Sequence, residues 1–112
     1  MLMETTERII QEFITGDDTN PFREWLDSIK DMRTQIKIDL RLARVRLGNF
    51  GDTKSVGKGV YELKIQFGPG YRIYYGLEGN KIVILLCAGD KSSQKKDIKK
   101  AIMFWKEYRG EK

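Results

Sequence analysis

The sequence predicts an α+β domain spanning residues 1–112 in the order β-α-α-β-β-β-α, with helices packed on one face of an antiparallel meander sheet. Three observations lead there. Apolar residues recur at steps of three and four between Phe22 and Leu47. From Val60 to Leu77 they alternate with polar residues, and after Ser92 the helical spacing returns. A chain of 112 residues, 40% hydrophobic, can bury one modest core, and it contains no repeat, linker or low-complexity tract.

Thr5–Ile14 reads as the first strand through Ile10, Phe13 and Ile14, and Gly16–Asn20 as a turn. Asn20-Pro21 marks a helix start, because an Asn side chain accepts from an orphan amide and Pro at the first helical position gives up no hydrogen bond. Phe22, Trp25, Leu26 and Ile29 form a stripe that continues through Met32, Ile36, Leu40, Ala43 and Leu47, as one long helix or as two hinged near Ile29–Asp31. Arg33, Lys37, Arg41 and Arg44 form a basic stripe beside it, either a solvated side or a surface for an anionic partner. Gly48 stands where a helix C-cap belongs, and Asn49–Gly59 reads as a Gly-rich basic loop carrying Lys54 and Lys58. In Val60–Phe67, Tyr61, Leu63, Ile65 and Phe67 oppose Glu62, Lys64 and Gln66; after the Gly68-Pro69-Gly70 turn, Tyr71, Ile73, Tyr75 and Leu77 oppose Arg72, Tyr74 and Gly76. Glu78–Lys81 is a tight hairpin, and Ile82–Ala88, apolar on both sides, suits a strand covered on each face. Ser92 or Ser93 caps a last helix with Ile98, Ala101, Ile102 and Trp105 inward. Trp25 and Trp105 read as core anchors, and Cys87 as an inert core thiol.

Composition removes several functions. With no His and one Cys, the chain holds no His-based triad, no His/Cys zinc site and no disulfide framework, so neither metal nor cofactor is expected. Its longest apolar run, Ile82–Ala88, is far short of the ~20 residues that cross a bilayer. Met1-Leu2-Met3-Glu4 lacks the basic start of a secretory signal, which makes a cytoplasmic protein with no membrane partner the expectation. Charge is uneven. Residues 1–53 carry 8 basic and 10 acidic side chains, whereas residues 54–112 carry 13 and 6. Such asymmetry suits a polyanionic partner as well as ordinary solubility.

The alternation also locates a site. If the Tyr61/Leu63/Ile65 and Tyr71/Ile73/Tyr75 faces meet the helices, the other face displays Lys64, Arg72, Tyr74 and Glu62. Lys54 and Lys58 before these strands, and Lys91, Lys95 and Lys96 after the last one, would flank it. This reads either as a solvated face with Glu62 paired to Lys64 or Arg72, or as an electrostatic funnel for a nucleic-acid strand with Tyr74 stacking a base.

The run Glu62–Tyr75, with Gly68-Pro69-Gly70-Tyr71-Arg72-Ile73-Tyr74-Tyr75 at its end, resembles the "GPGYRVYY" core of addiction-module killer proteins, and Leu85–Gln94 resembles their "LLCGGDKSTQ" segment. Phe22–Ile29 and Leu47–Asp52 add to the resemblance, which spans roughly Pro21 to Ala101. These are phage-derived HigB-type toxins of the RelE/ParE superfamily. The resemblance implies a compact toxin neutralised by a helix-turn-helix antitoxin. HigB-like and RelE-like members cleave mRNA in the ribosomal A site; ParE-like members inhibit DNA gyrase instead, without nuclease activity. In the nuclease branch an arginine on the equivalent strand contacts phosphate, a role carried onto Arg72; basic residues before it carry onto Lys54, Lys58 and Lys64. Many such nucleases use a histidine or a C-terminal tyrosine. This chain has no histidine, and Tyr108 reads as packing.

RNA cleavage needs neither histidine nor metal when the substrate's own 2′-OH attacks, leaving a 2′,3′-cyclic phosphate and a 5′-OH. Arg72 suits the phosphate clamp because its planar fork holds two oxygens and stays charged. Cations crowded together release protons more readily, which makes Lys54, Lys58 and Lys64 candidate bases beside Glu62, for which orienting Lys64 or Arg72 is the favoured role. Lys91 would bind backbone phosphate, with Asp90 capping the next helix.

Overall fold

In a computed structural model, which describes residues 6–111, five strands and three α-helices form from this pattern. β1 is Ile9–Glu12, α1 Pro21–Ser28, α2 Met32–Arg46, β2 Thr53–Gly57, β3 Val60–Ile65, β4 Tyr71–Glu78, β5 Ile82–Gly89 and α3 Gln94–Tyr108, the last preceded by a 3-10 turn at Lys91–Ser93. The sheet order is β1-β5-β4-β3-β2, with β1 parallel to β5 and every other pair antiparallel. The α+β class is as the sequence predicts. Among the described residues, no helix is long and apolar enough to cross a membrane.

Local chemistry sets the helix boundaries. Asn20 caps α1 by accepting from the Arg23 amide at 3.0 Å, with Pro21 at the first helical position. Asp31 caps α2 in the same way, so the stripe divides into two helices at Ile29–Asp31. Gly48 follows α2 with φ +90°, the left-handed conformation that ends a helix. At α3 the Ser93 hydroxyl donates to Asp97 instead of capping an amide, and Asp90 caps the 3-10 turn through the Ser92 amide.

The helices divide between the two sheet faces. Phe22 and Leu26 of α1 and Ile38, Leu42 and Val45 of α2 pack with Leu63, Ile65, Ile73, Tyr75, Val83 and Leu85. Ala101 and Trp105 of α3 pack with Phe13, Val60, Tyr74, Ile84 and Leu86 on the opposite face. The expectation of helices on one face therefore gives way to a three-layer arrangement. Its cause is legible in β5, whose apolar side chains point both ways and so require cover on both sides. A bulge in the β4–β5 pairing between Tyr74 and Tyr75 lets Leu86 and Cys87 both join the α3-side core. α3 also approaches closely enough that a Cβ on Gly76 would lie 2.4 Å from the Trp105 ring.

Three further expectations need correction. The first strand is shorter than Thr5–Ile14, with Thr5 outside the described residues; a turn follows it at Thr15–Thr19. The expected loop Asn49–Gly59 contains β2, an edge strand paired with β3. The predicted continuous inward stripe also stops at Ile29. The break before Asp31 resets the helical phase, so Met32, Ile36, Leu40 and Leu47 face outward while Thr34, Ile38, Arg41, Leu42 and Val45 are buried.

Candidate functional site

Cross-strand register places the predicted polar residues on one face. Lys64 pairs with Arg72 and Glu62 with Tyr74, while Lys54 pairs with Glu62 on the edge strand. α3 covers the middle of this face and leaves its end open. There, Lys64, Gln66, Phe67, the Gly68-Pro69-Gly70 turn, Arg72 and Lys91 line a solvent-open depression of about 410 Å³ that, among the described residues, contains three cations and no carboxylate. The end of β3 supplies Lys64, the start of β4 supplies Arg72, and the turn after β5 supplies Lys91.

Arg72 forms the floor. Only 6% exposed, it donates from Nη1 to the Gly70 carbonyl at 2.8 Å, so the Gly-Pro-Gly turn that joins the strands also aims the guanidinium. Gly70 has φ +78°, a conformation open to glycine at little cost. Behind Arg72 lies Glu62, 2% exposed, with Oε2 3.7 Å from Arg72 Nε. The same oxygen accepts from Tyr74 Oη at 3.2 Å and from Gln94 Nε2 at 2.9 Å. A buried carboxylate is tolerable only when paired and hydrogen-bonded; Arg72 supplies the opposite charge, and Tyr74 and Gln94 supply the hydrogen bonds. Arg72 Nε, without a hydrogen-bond partner, remains underused at the floor.

The sequence expectations divide accordingly. Arg72, Lys64 and Lys91 meet in the depression, and Glu62 stands behind Arg72 as an orienting carboxylate. Tyr74 does not face outward: it is fully buried beneath α3, so its ring offers no stacking surface. Burial, reinforced by the Glu62 charge and hydrogen bond, pushes its phenol far above the ordinary range. Alternation gives the correct face, but it cannot reveal that α3 returns across that face. Lys54 is exposed on β2 opposite Glu62, two register positions from Lys64 and outside the depression's lining. Lys58 occupies the β2–β3 hairpin tip, six positions and roughly 20 Å from Lys64 along the strand. Lys95 and Lys96 are exposed on the first turn of α3 and line a separate surface with Ile98 and Lys99. Gln66 and Gln94 were not among the expected site residues. Gln66 follows the alternation onto the same face, whereas nothing local in the sequence signals the contact between Gln94 and Glu62, 32 residues apart.

Two comparisons bear on this site. The family model for phage-derived Gp49-like proteins (DUF891) matches residues 24–104. A Haemophilus influenzae protein, described only as uncharacterized, is 51% identical over 83 residues, which is 74% of this chain and 84% of the relative. The stretch that the family model matches includes β2–β5 and the depression's lining.

Proposed function

Because the chain belongs to the Gp49-like family of phage-derived proteins, a RelE/ParE-like toxin family, we propose that it is the toxin of a type II toxin–antitoxin pair and cleaves mRNA on the ribosome. The observation that carries this reading is the carboxylate-free depression formed by Arg72, Lys64 and Lys91. In the proposed reaction Arg72 clamps the scissile phosphate, and Lys91 holds a neighbouring phosphate. The substrate 2′-oxygen forms a bond to phosphorus as the bond from phosphorus to O5′ breaks. The 2′-OH proton passes to a basic group, for which half-buried Lys64 in its neutral amine form is the assigned candidate, and the ammonium so formed returns a proton to O5′ as it leaves. Guanidinium and ammonium groups offset the charge on the pentacovalent oxygens. Glu62 keeps the guanidinium in register without touching RNA. A helix-turn-helix antitoxin is the proposed neutralising partner, on the strength of the sequence blocks and the family.

Induction of the chain in a bacterial host, followed by primer extension on abundant mRNAs, tests the reading. Growth arrest with discrete in-frame cuts is expected. Growth arrest with a DNA-damage response and intact mRNA would favour gyrase inhibition and remove the nuclease assignment.

A further inference from the structure

On the other side of the β3–β4 tip lies a second cationic hollow, of about 330 Å³, lined by Lys37, Leu40, Arg41, Arg44, Gly51, Asp52 and the Lys64–Phe67 segment. Arg41 is its anchor. The residue is 8% exposed and donates to three backbone carbonyls: Nε to Lys64 at 3.2 Å, and Nη2 to Phe50 at 2.5 Å and Asp52 at 3.2 Å. Its Nη1 is buried without a partner, and among the described residues no carboxylate forms an ion pair with it. Burial first, and the neighbouring Arg44 second, disfavour its charge, and the opposing field of Asp52 offsets them only in part. Lys37 and Arg44 stand exposed on the same helix, with the Lys37 ammonium 5.5 Å from the Phe67 ring centroid. Asp52 is the sole acidic lining residue, and it accepts from Gln66 at 3.1 Å.

From this we infer that the hollow is a second phosphate-binding subsite, which holds a backbone phosphate of the same RNA strand that enters the Arg72 depression. The inference rests on the proposed nuclease reading for the identity of the strand. Continuity favours RNA over an acidic protein segment: Lys64, Gln66 and Phe67 line both hollows, so one strand draped over the tip meets cations on each side. Binding there would set the register of the strand before cleavage, with Arg41 acting through its fixed field and Lys37 and Arg44 through contact.

The test uses the full chain and a fluorescent 2′-O-methyl dodecauridylate, which lacks the attacking hydroxyl and stays intact. Anisotropy titrations over a salt series compare the wild type with Lys37→Ala/Arg44→Ala and with Arg72→Ala; Arg41 is left intact because it anchors the 50–52 loop. Loss of the two cations that hold this phosphate should weaken binding about tenfold and make the salt slope shallower by about 0.7. An unchanged affinity and slope in the double variant, with Arg72→Ala weakened, would overturn the subsite and leave the nuclease reading standing. The converse, with only the double variant weakened, supports the subsite and counts against the Arg72 site. Two controls identify the ligand. Calorimetric binding of inorganic phosphate with no effect of the double substitution on the oligonucleotide would reduce the hollow to a free-anion site and overturn the inference. So would a polyglutamate peptide that binds this hollow more tightly than the oligonucleotide.

Discussion

Arg72 is held by two unlike partners, a turn carbonyl that fixes its direction and a buried carboxylate that balances its charge. Removing the carboxylate leaves a buried guanidinium uncompensated, so Glu62→Ala should cost roughly 3–5 kcal/mol by urea denaturation, and Glu62→Gln less because its amide oxygen still accepts. Tyr74→Phe removes one buried hydrogen bond and should cost about 1 kcal/mol while leaving the proposed cleavage intact; loss of cleavage with the fold intact would restore the phenol to the chemistry. Cys87 gives the clearest pH signature. Burial first, and Asp97 second, push its thiol up to about 12. A folded state that favours the neutral thiol contributes stability below the ordinary thiol pKa, and that contribution is lost as pH rises from about 9 towards 12. Stability measured against Cys87→Ala should therefore shift towards the alanine variant by up to about 1.4 kcal/mol per pH unit in that window. Iodoacetamide labelling at pH 8 should be slower in the folded chain than in urea by on the order of a thousandfold, following the thiolate fraction.

Elements are joined by close approaches that sequence patterns describe only in part. Gly76 exists where α3 crosses β4: Gly76→Ala would drive a methyl group into the Trp105 ring, with an expected loss of 1–3 kcal/mol, roughly, by thermal or urea melts. Trp105→Leu should recover part of that loss, and the double-mutant cycle measures the coupling. The strands were legible because alternation on β3 and β4 is a local property, and the register pairs Leu63 with Ile73 and Lys64 with Arg72 as it requires. The caps at Asn20 and Gly48 were legible for the same reason. The α2 stripe was misread because apolar periodicity continues across a break that resets its phase, and nothing local separates Ile36, which is exposed, from Ile38, which is buried. Arg41 shows the same limit. Its position in a basic stripe suggests solvent, yet its guanidinium closes the 50–52 loop against β3. β2 escaped because Thr53–Gly57 is short, polar and at the sheet edge, where pairing with β3 holds it more than any preference of its own.

At the scale of the whole molecule, β5 divides the core and sends α3 to the face opposite α1 and α2. That placement buries Tyr74 and Glu62 but stops short of Lys64 and of the depression that buried Arg72 floors, so the covering helix itself delimits the open site. The site's membership was thus half legible: strand alternation gave Arg72 and Lys64, while the boundary depended on a long-range contact from Gln94. Position along the sheet separates the remaining lysines. Lys64→Ala should abolish cleavage, whereas Lys58→Ala, at the far hairpin, should leave cleavage within about twofold of the wild type in a ribosome-based assay. The central claim is that the Arg72 guanidinium acts on the scissile phosphate. Its most direct measurement is single-turnover cleavage of end-labelled mRNA on programmed ribosomes, comparing the wild type with Arg72→Gln/Glu62→Gln, in which both buried charges are removed together and the fold is verified by melting. The account predicts 2′,3′-cyclic phosphate ends from the wild type and a rate at least 100-fold lower, on the order of an oxyanion-stabilising group, from the double variant. Cleavage at the wild-type rate by a folded double variant would contradict it.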